Sequence, residues 1–255
     1  MLTDKPQIFT LAFQGFFMNC KKIFKSLQKY INDNHDNISL IRNRCPDEKR
    51  GFLRYKDRTF TYDENSQKQV SKKIIFILES PHKNEFCKNG TSLGPAKGKT
   101  GDNFKNCLID FCILAQYYYS AFEEGFYEIW IANAIQYQVS LGMKTKEYRS
   151  LLFQVAWHTY GKENFKLRLT NLLNCQKTII VNACTKGTEL KKRQAEKLLQ
   201  MIPIEEKIKN KIKLNESQVN LKGLVQDAID ELNSCNLIVN ANHPSNWGSI
   251  VQQQS

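Results

Sequence analysis

The sequence lacks the cysteine and histidine patterns that hold metal ions. Its eight cysteines include no C-x-x-C pair and no regular spacing, which argues against a zinc site and against a disulfide framework. The four histidines, at positions 35, 82, 158 and 243, show no i, i+4 pair. We therefore expect a reduced, cytoplasmic protein that uses no metal and no other cofactor, and we exclude a zinc deaminase.

Long apolar runs and hydrolase signatures are missing as well. The apolar residues between Phe13 and Met18 are followed closely by Asn19, Cys20 and two lysines. This stretch is too short for a membrane span, and its charges lie on the wrong side for a secretory signal. No G-x-S-x-G sequence indicates a serine nucleophile, and no carboxylate cluster suits Mg²⁺, so a nuclease ranks low.

Positive charge is in excess. The 255 residues contain 37 Lys and Arg against 25 Asp and Glu, which gives a formal net charge of +12. Such an excess favours a polyanionic partner, and lysine contacts to phosphate predict an affinity that falls steeply with salt. We expect a nucleic acid as the partner, no membrane association, and a protein that acts as a monomer.

Four short apolar runs each end in a small polar motif. Glu79-Ser80-Pro81-His82 follows Ile74–Leu78, Asn133-Ala134 follows Tyr127–Ala132, Asn182-Ala183-Cys184 follows Lys177–Val181, and Asn240-Ala241-Asn242-His243-Pro244-Ser245 follows Leu237–Val239. Continuous apolar runs are typical of buried parallel strands, and open α/β sheets carry their chemistry at the carboxyl ends of such strands. The sequence therefore predicts an α/β fold with one crevice lined by an acid, two asparagines and a histidine.

The rest of the chain supports a single domain over residues 1–255. Apolar spacing predicts helices over 10–31, 102–119 and 145–174, with Trp157 and His158 as packing residues. The polar segment 32–73 has at most a short hairpin around Phe52–Tyr62. We interpret 1–73 as an N-terminal helical and loop extension and 186–234 as a basic helical insertion, whose lysines form a solvated face or extend the positive surface.

The segment from Gly94 to Gly101 contains a Gly-Lys-Thr sequence but is not a P-loop. Gly94 and Gly98 are one residue too close for that motif, and no apolar strand leads into them. We therefore reject nucleotide triphosphate hydrolysis. The backbone amides and the lysines Lys97 and Lys99 can still hold a DNA phosphate.

Three residues at the predicted strand ends are the candidates for chemistry. Glu79 is the candidate acid, although an acid at this position also serves as a helix cap or a surface charge. A neutral His243 can donate a hydrogen bond to an oxygen that gains negative charge, or it can simply be packed. Asn133, like Asn182, offers the donor and acceptor needed to read a base edge, while asparagine at strand ends also forms turns.

The motifs in this order resemble those of the uracil-DNA glycosylase superfamily. Residues 77–85 (ILESPHKNE) and 95–101 (PAKGKTG) resemble two motifs of its thermophilic iron–sulfur branch, Gly-Glu-Ala-Pro-Gly with a later acid and Pro-Phe-Val-Gly-Arg-Ala-Gly. Residues 131–135 (IANAI) resemble the Leu-Leu-Asn-Ala-Val strand that carries the base-reading asparagine. Residues 242–247 (NHPSNW) resemble the closing His-Pro-Ser-Pro-Leu loop. The resemblance covers roughly 74–139 and 177–250.

The resemblance implies a three-layer α/β/α sandwich with a short, mainly parallel four-stranded sheet, and hydrolysis of an N-glycosidic bond in DNA. A base would be flipped into the crevice and read there. By this likeness Glu79 and His243 are catalytic, and Asn133, Ser80, Pro81 and Ala96 bind the base. The DNA-binding residues would be Lys97, Lys99, Ser245, Asn246 and Trp247, with Trp247 filling the vacated stack.

The sequence departs from the family pattern at three places. The cluster cysteines are missing, and Tyr137 stands where one is expected, so no iron–sulfur cluster is predicted. Ala96 replaces the phenylalanine that stacks on uracil, which suggests a bulkier base, such as a modified pyrimidine of phage DNA removed in antiviral defence. His82 replaces a glycine or tyrosine. Two alternatives stay open: a repair glycosylase for uracil or other deaminated bases, and a non-catalytic nucleic-acid-binding module.

Overall fold

A mixed six-stranded sheet forms the centre of the protein. The computed structural model describes residues 44–64, 70, 72–139, 145–173, 177–187, 192–201, 204–212, 220–232 and 236–247. The strands are β1 (Glu48–Lys56), β2 (Thr59–Asp63), β3 (Lys72–Leu78), β4 (Gly125–Asn133), β5 (Thr178–Asn182) and β6 (Leu237–Asn240). Their order across the sheet is β2-β1-β4-β3-β5-β6. The helix predicted over 10–31 lies outside the described residues.

The expectation of a four-stranded sheet is wrong in the number of strands. The apolar runs form β3, β4, β5 and β6, which pair in parallel with their neighbours. The hairpin β1–β2 adds two more strands, because β1 pairs antiparallel with both β2 and β4. Its buried residues Leu53, Tyr55 and Phe60 supply an apolar side that packs on the core. The hairpin expected around Phe52–Tyr62 is therefore confirmed, whereas the charged residues within it gave no indication that it joins the sheet.

Six helices and one π-helical turn accompany the described strands. They are α1 (Lys99–Tyr119), α2 (Thr145–Ala156), the π-helical turn Trp157–Gly161, α3 (Lys162–Leu172), α4 (Lys192–Met201), α5 (Glu206–Lys209) and α6 (Leu221–Leu232). α1 begins three residues before the predicted start at 102, after Gly98 with φ +65°. The helical stretch predicted from 145 is confirmed, with a π-helical turn inside it. The described part of 186–234 contains α4, α5 and α6.

The two sides of β3 pack against different helices. Ile75 and Ile77 belong to an apolar cluster with residues of α2, α3 and α6, whereas Ile74 and Phe76 belong to one with residues of α1. Alternation of this kind follows from the period-two geometry of a strand. Trp157 is 1% exposed within the first cluster, which confirms it as a packing residue.

Two further observations concern the described residues only. No helix among them is long and apolar enough to cross a membrane. Five cysteines within these ranges are free thiols, namely Cys45, Cys87, Cys107, Cys112 and Cys184.

Candidate functional site

Backbone hydrogen bonds hold the residues that follow β3, β4, β5 and β6 at one edge of the sheet. The bonds run from Ala134 N to Leu78 O (2.7 Å), Ile135 N to Glu79 O (3.0 Å), Ala183 N to Ile77 O (2.9 Å) and Ala241 N to Asn182 O (3.1 Å). Each continues the strand pairing for one or two residues beyond the sheet. The segments that carry Glu79, Asn133 and His243 therefore leave the sheet at the same edge, as predicted, with β5 between β3 and β6.

Glu79 is buried in an ion pair with Arg149 of α2. Its carboxylate is 1% exposed, and Arg149 donates from Nε to Oε1 (2.6 Å) and from Nη2 to Oε2 (2.7 Å). The Thr185 hydroxyl donates a third hydrogen bond, to Oε2. A carboxylate offers about four lone-pair positions, so about one remains, on Oε1. Glu79 is therefore firmly oriented, and its charge is opposed by a guanidinium whose side chain is 25% exposed.

His243 is a neutral hydrogen-bond donor. Its Nδ1 accepts from the backbone N of Ser245 (3.3 Å) and lies 2.8 Å from the Ser245 hydroxyl oxygen. A backbone N–H can only donate, so Nδ1 carries no proton and the ring proton is on Nε2. Burial, and then the charge of Arg149, lower the pKa of His243 to about 4. The ring is therefore uncharged at neutral pH and presents Nε2–H.

Arg149 links the first loop of the predicted crevice to α2. It contacts Glu79 directly, and its charge also lowers the pKa values of His82 and His243, in addition to the effect of burial. The predicted acid therefore contacts this guanidinium, and the predicted imidazole is influenced by its charge. His82 has a local role that the sequence left open: its Nδ1 accepts from Asn84 N (3.3 Å) and caps the short turn Lys83–Glu85.

Asn133 and Ala96 meet at a second buried acid, Glu85. Glu85 is 4% exposed, and Oε1 accepts a hydrogen bond from Ala96 N at 3.1 Å. Burial raises the pKa of Glu85 to about 7, although hydrogen bonds from Ala96, His82 and Asn133 oppose this rise. Asn133 is 1% exposed, and its Oδ1 has no hydrogen-bond partner among the described residues. An acceptor in this state suits a ligand that brings an N–H group.

Arg168 of α3 fixes the end of β4 that carries Asn133. Its Nη2 donates to the carbonyl oxygens of Asn133 (2.9 Å) and Ala134 (3.0 Å), and its Nη1 donates to both carboxylate oxygens of Asp47 (2.7 and 2.6 Å). The position of Asn133 therefore depends on a buried ion pair as well as on strand pairing.

Asn182 does not join this site. Its side-chain amide donates to Lys222 O (3.2 Å) and to Gln226 Oε1 (3.0 Å), both on α6, and its Oδ1 accepts from Cys184 N (3.3 Å). These bonds attach β5 to α6. The expectation that two asparagines line the crevice is therefore wrong for Asn182.

The remaining base-binding candidates lie next to this site. Ser80 Oγ is buried and has no hydrogen-bond partner in the described part of the chain. Pro81 is buried. Ala96 is fully buried with φ +52°, so its methyl group belongs to the packed wall around Glu85.

The predicted DNA-binding residues are placed differently from one another. Lys97 lies 3.8 Å from Glu48, whereas Lys99 and Asn246 are exposed. The Ser245 carbonyl accepts a hydrogen bond from Asn103 Nδ2 at 3.0 Å. These residues remain on or near the surface.

Trp247 is an exception and requires a correction. It is 4% exposed and stacks on Phe111 with ring centroids 4.9 Å apart and an interplanar angle of 3°. It also packs against Phe76 and Phe104. A ring held in the core by three aromatic neighbours has no free face with which to fill a vacated base stack. The apolar environment, rather than the motif position, determines where it lies.

A groove of about 490 Å³ opens beside the last loop. Asp110, Tyr118 and Tyr119 of α1 line one side, and residues from Val239 to Asn242 together with Trp247 line the other. The groove is not lined by Glu79, Asn133 or His243. One of its lining residues, Asn242, directly precedes His243 in the sequence. This groove is therefore a neighbour of the candidate site and not the site itself.

No group of three or more metal-ligating side chains comes together in the ranges that the structure describes. Comparisons of the chain with protein-family models, with curated proteins and with solved structures give no match.

Proposed function

We propose that this protein is a DNA glycosylase, a divergent relative of the uracil-DNA glycosylases with a three-layer α/β/α arrangement. The observation that carries the proposal is that buried Glu79, paired with Arg149, and His243 follow the parallel strands β3 and β6, which flank β5 and end at one edge of the sheet. The net charge of +12 fits a polyanionic substrate. The packing of the two sides of β3 against different helices supports the layered arrangement.

In this proposal the base is flipped out of the duplex and read by Asn133. The free Oδ1 accepts from an N–H on the base edge, while the Asn133 side chain is hydrogen-bonded to Glu85. The C1′–N bond then breaks, and the base leaves with the bonding electrons as an anion. His243 stabilises this anion by donating Nε2–H to a base oxygen. Water then adds to C1′, and the proton that this water loses neutralises the departing base anion.

Glu79 has a restricted part in this chemistry. Arg149 and Thr185 occupy all but about one of its lone-pair positions. The remaining position on Oε1 is the one from which the carboxylate can hold the attacking water. Its charge, which is largely offset by Arg149, contributes little to stabilising a positive deoxyribose.

We propose a bulky modified pyrimidine of phage DNA as the substrate, which would place the protein in antiviral defence. This proposal rests on Ala96, which stands where the resemblance places the phenylalanine that stacks on uracil and which donates its backbone N–H to Glu85. A uracil repair glycosylase is the alternative substrate class. The comparison of reaction rates on the two kinds of DNA separates them.

Alkali-dependent strand cleavage tests the activity. Duplexes that carry uracil, hydroxymethylated or glucosylated pyrimidines are incubated with wild type, His243→Gln and Asn133→Ala. We expect abasic sites with a modified substrate, a loss of about 10²-fold or more in His243→Gln, and no loss in the distant control Lys56→Gln. Equal rates on uracil and on every modified base would contradict the proposed substrate.

A non-catalytic nucleic-acid-binding module is the second candidate. The hydrogen bonds from Arg149 and Thr185 to both Glu79 oxygens favour this candidate. A carboxylate with these partners has few acceptor positions left to bind water or to accept a proton. The same assay with Glu79→Gln separates the two. Equal cleavage by wild type and variant removes Glu79 from the mechanism, and salt-sensitive DNA binding without abasic sites from any form of the protein supports the module.

A further inference from the structure

The Arg149 guanidinium has a second set of donors that Glu79 does not use. Arginine carries five N–H donors in a rigid plane. Glu79 takes the Nε–H and one Nη2–H, which leaves two donors on Nη1 and one on Nη2. Two of these three are parallel at the end of the guanidinium, so they form a second fork. Such a fork matches two oxygens of one phosphate or carboxylate better than it matches the single oxygen of a carbonyl.

The two partners of the ion pair are buried to different extents. The Glu79 side chain is 1% exposed and the Arg149 side chain is 25% exposed. The carboxylate therefore lies beneath the guanidinium, and the positive group is the one that solvent or a ligand can reach. Thr185 adds a hydrogen bond to Glu79 and none to Arg149. This arrangement is suited to holding the guanidinium in a fixed orientation.

The surroundings of Arg149 favour an anion. Lys222 Nζ donates to Ala241 O at 2.6 Å, which places this lysine at the carboxyl end of β6. Burial lowers the pKa of His82, and Lys83 and Arg149 lower it further. Lys83 and Lys222 therefore add positive charge to the loops at this edge of the sheet.

Two neutral donors lie in the loops that follow β3 and β6. His243 presents Nε2–H, and the buried Ser80 hydroxyl, next in sequence to Glu79, has no hydrogen-bond partner among the described residues. A buried hydroxyl in this state has its donor free for a ligand oxygen. Neither group carries charge, so both can donate to an anion without repelling the arginine.

We propose that Arg149, together with Ser80 and His243, forms a phosphate-binding site and that Glu79 and Thr185 position the guanidinium in it. The phosphate is a backbone phosphate of the extruded nucleotide, and this identity rests on the proposed glycosylase function. Phosphate binding by the protein alone does not depend on that function. In this site Glu79 positions the Arg149 guanidinium. This role is separate from the role proposed above, in which Glu79 holds the attacking water.

Inorganic phosphate is the first probe. The imidazole signals of His82 and His243 are followed by NMR at pH 7 while phosphate is added to wild type, Glu79→Gln, the double variant Glu79→Gln/Arg149→Gln and the control Lys56→Gln. The double variant removes both charges and so avoids a buried unpaired carboxylate. Lys56 lies at the opposite edge of the sheet, because Tyr55 pairs with Gly125 at the start of β4.

We expect saturable shifts in wild type and Lys56→Gln, retained or tighter binding in Glu79→Gln, and loss of saturation in the double variant. Tighter binding would follow from removing the carboxylate that offsets Arg149. The proposal is overturned if the imidazole shifts of wild type do not saturate with phosphate. It is also overturned if phosphate shifts the two imidazole signals of the double variant as much as those of wild type.

The salt dependence of DNA binding tests the source of the phosphate. A single lost contact to duplex phosphate reduces the slope of log Kobs against log salt by about 0.9. We expect this reduction in the double variant relative to Glu79→Gln, and an unchanged slope would overturn the assignment to DNA. Phosphate binding through Arg149 in a protein that forms no abasic sites would contradict the glycosylase proposal and leave the phosphate site standing.

Discussion

The neutral state of His243 gives a measurable dependence of stability on pH. An imidazole in an unfolded chain takes up a proton near pH 6.5, whereas burial and Arg149 delay this in the folded protein to a pKa of about 4. Between these pH values the unfolded state binds one more proton than the folded state. Stability therefore falls as the pH falls through this window, by about 1.4 kcal/mol for each pH unit.

The size of the effect follows from the difference between the two pKa values. A lowering from 6.5 to about 4 corresponds to about 3 kcal/mol of free energy of unfolding, present above pH 6.5 and lost below pH 4. The variant His243→Gln has no titrating ring, so it lacks this contribution. We expect the stability of wild type, relative to the variant, to decrease by about 3 kcal/mol between pH 7.5 and pH 4.

Denaturant unfolding at pH 7.5, 5.5 and 4 measures this difference, because contributions from other titrating groups cancel between the two proteins. An NMR titration of the His243 ring gives the folded pKa directly. A ring that titrates near pH 6.5, or parallel pH profiles of wild type and His243→Gln, would refute the argument that His243 is a neutral donor beside a cation.

Three further predictions concern neighbouring groups. Arg168→Met leaves Asp47 buried without its partner and is expected to lower the free energy of unfolding by about 3 to 5 kcal/mol in denaturant titrations. Because burial raises the pKa of Glu85 to about 7, its effect has the opposite sign to that of His243. The free energy of unfolding of wild type, relative to that of Glu85→Gln, should decrease by about 3 kcal/mol as the pH rises from 4.5 to above 7, measured by the same titrations. The same pH dependence of stability in both proteins would contradict this. Trp247→Ala removes the ring stacked on Phe111 and should cost about 3 to 5 kcal/mol with loss of near-ultraviolet circular dichroism, whereas a surface tryptophan would give almost no change.

The sequence predicted the parallel strands and the placement of Glu79, Asn133 and His243 after them. Continuous apolar runs give a strong signal, and the carboxyl ends of parallel strands lie at one edge for geometric reasons. The long helices were predicted for the same reason, since their apolar residues recur with a helical period. Both signals are local, so they can be recognised without knowledge of the tertiary structure.

The residues that the sequence did not single out are those whose role depends on distant partners. Arg149 is separated from Glu79 by 70 positions, and nothing in its local sequence distinguishes it from other basic residues on helices. Glu85 stands in the first motif but acquires its burial from Ala96 and Asn133. Trp247 was misassigned because its motif position suggested DNA contact, while its partners on α1 were not visible from sequence spacing.

The Glu79–Arg149 pair is better explained by orientation than by stability. Removing two charges from water offsets most of the attraction between them, and a buried ion pair is often no more stable than apolar side chains of similar volume. The pair nevertheless holds a guanidinium at the carboxyl edge of the sheet, beside a neutral imidazole with its proton on Nε2. The guanidinium is the more accessible partner of the pair, with a side chain 25% exposed, while the Glu79 side chain is 1% exposed. Such a site is organised to receive negative charge, from a phosphate or a departing base, rather than to generate a strong base.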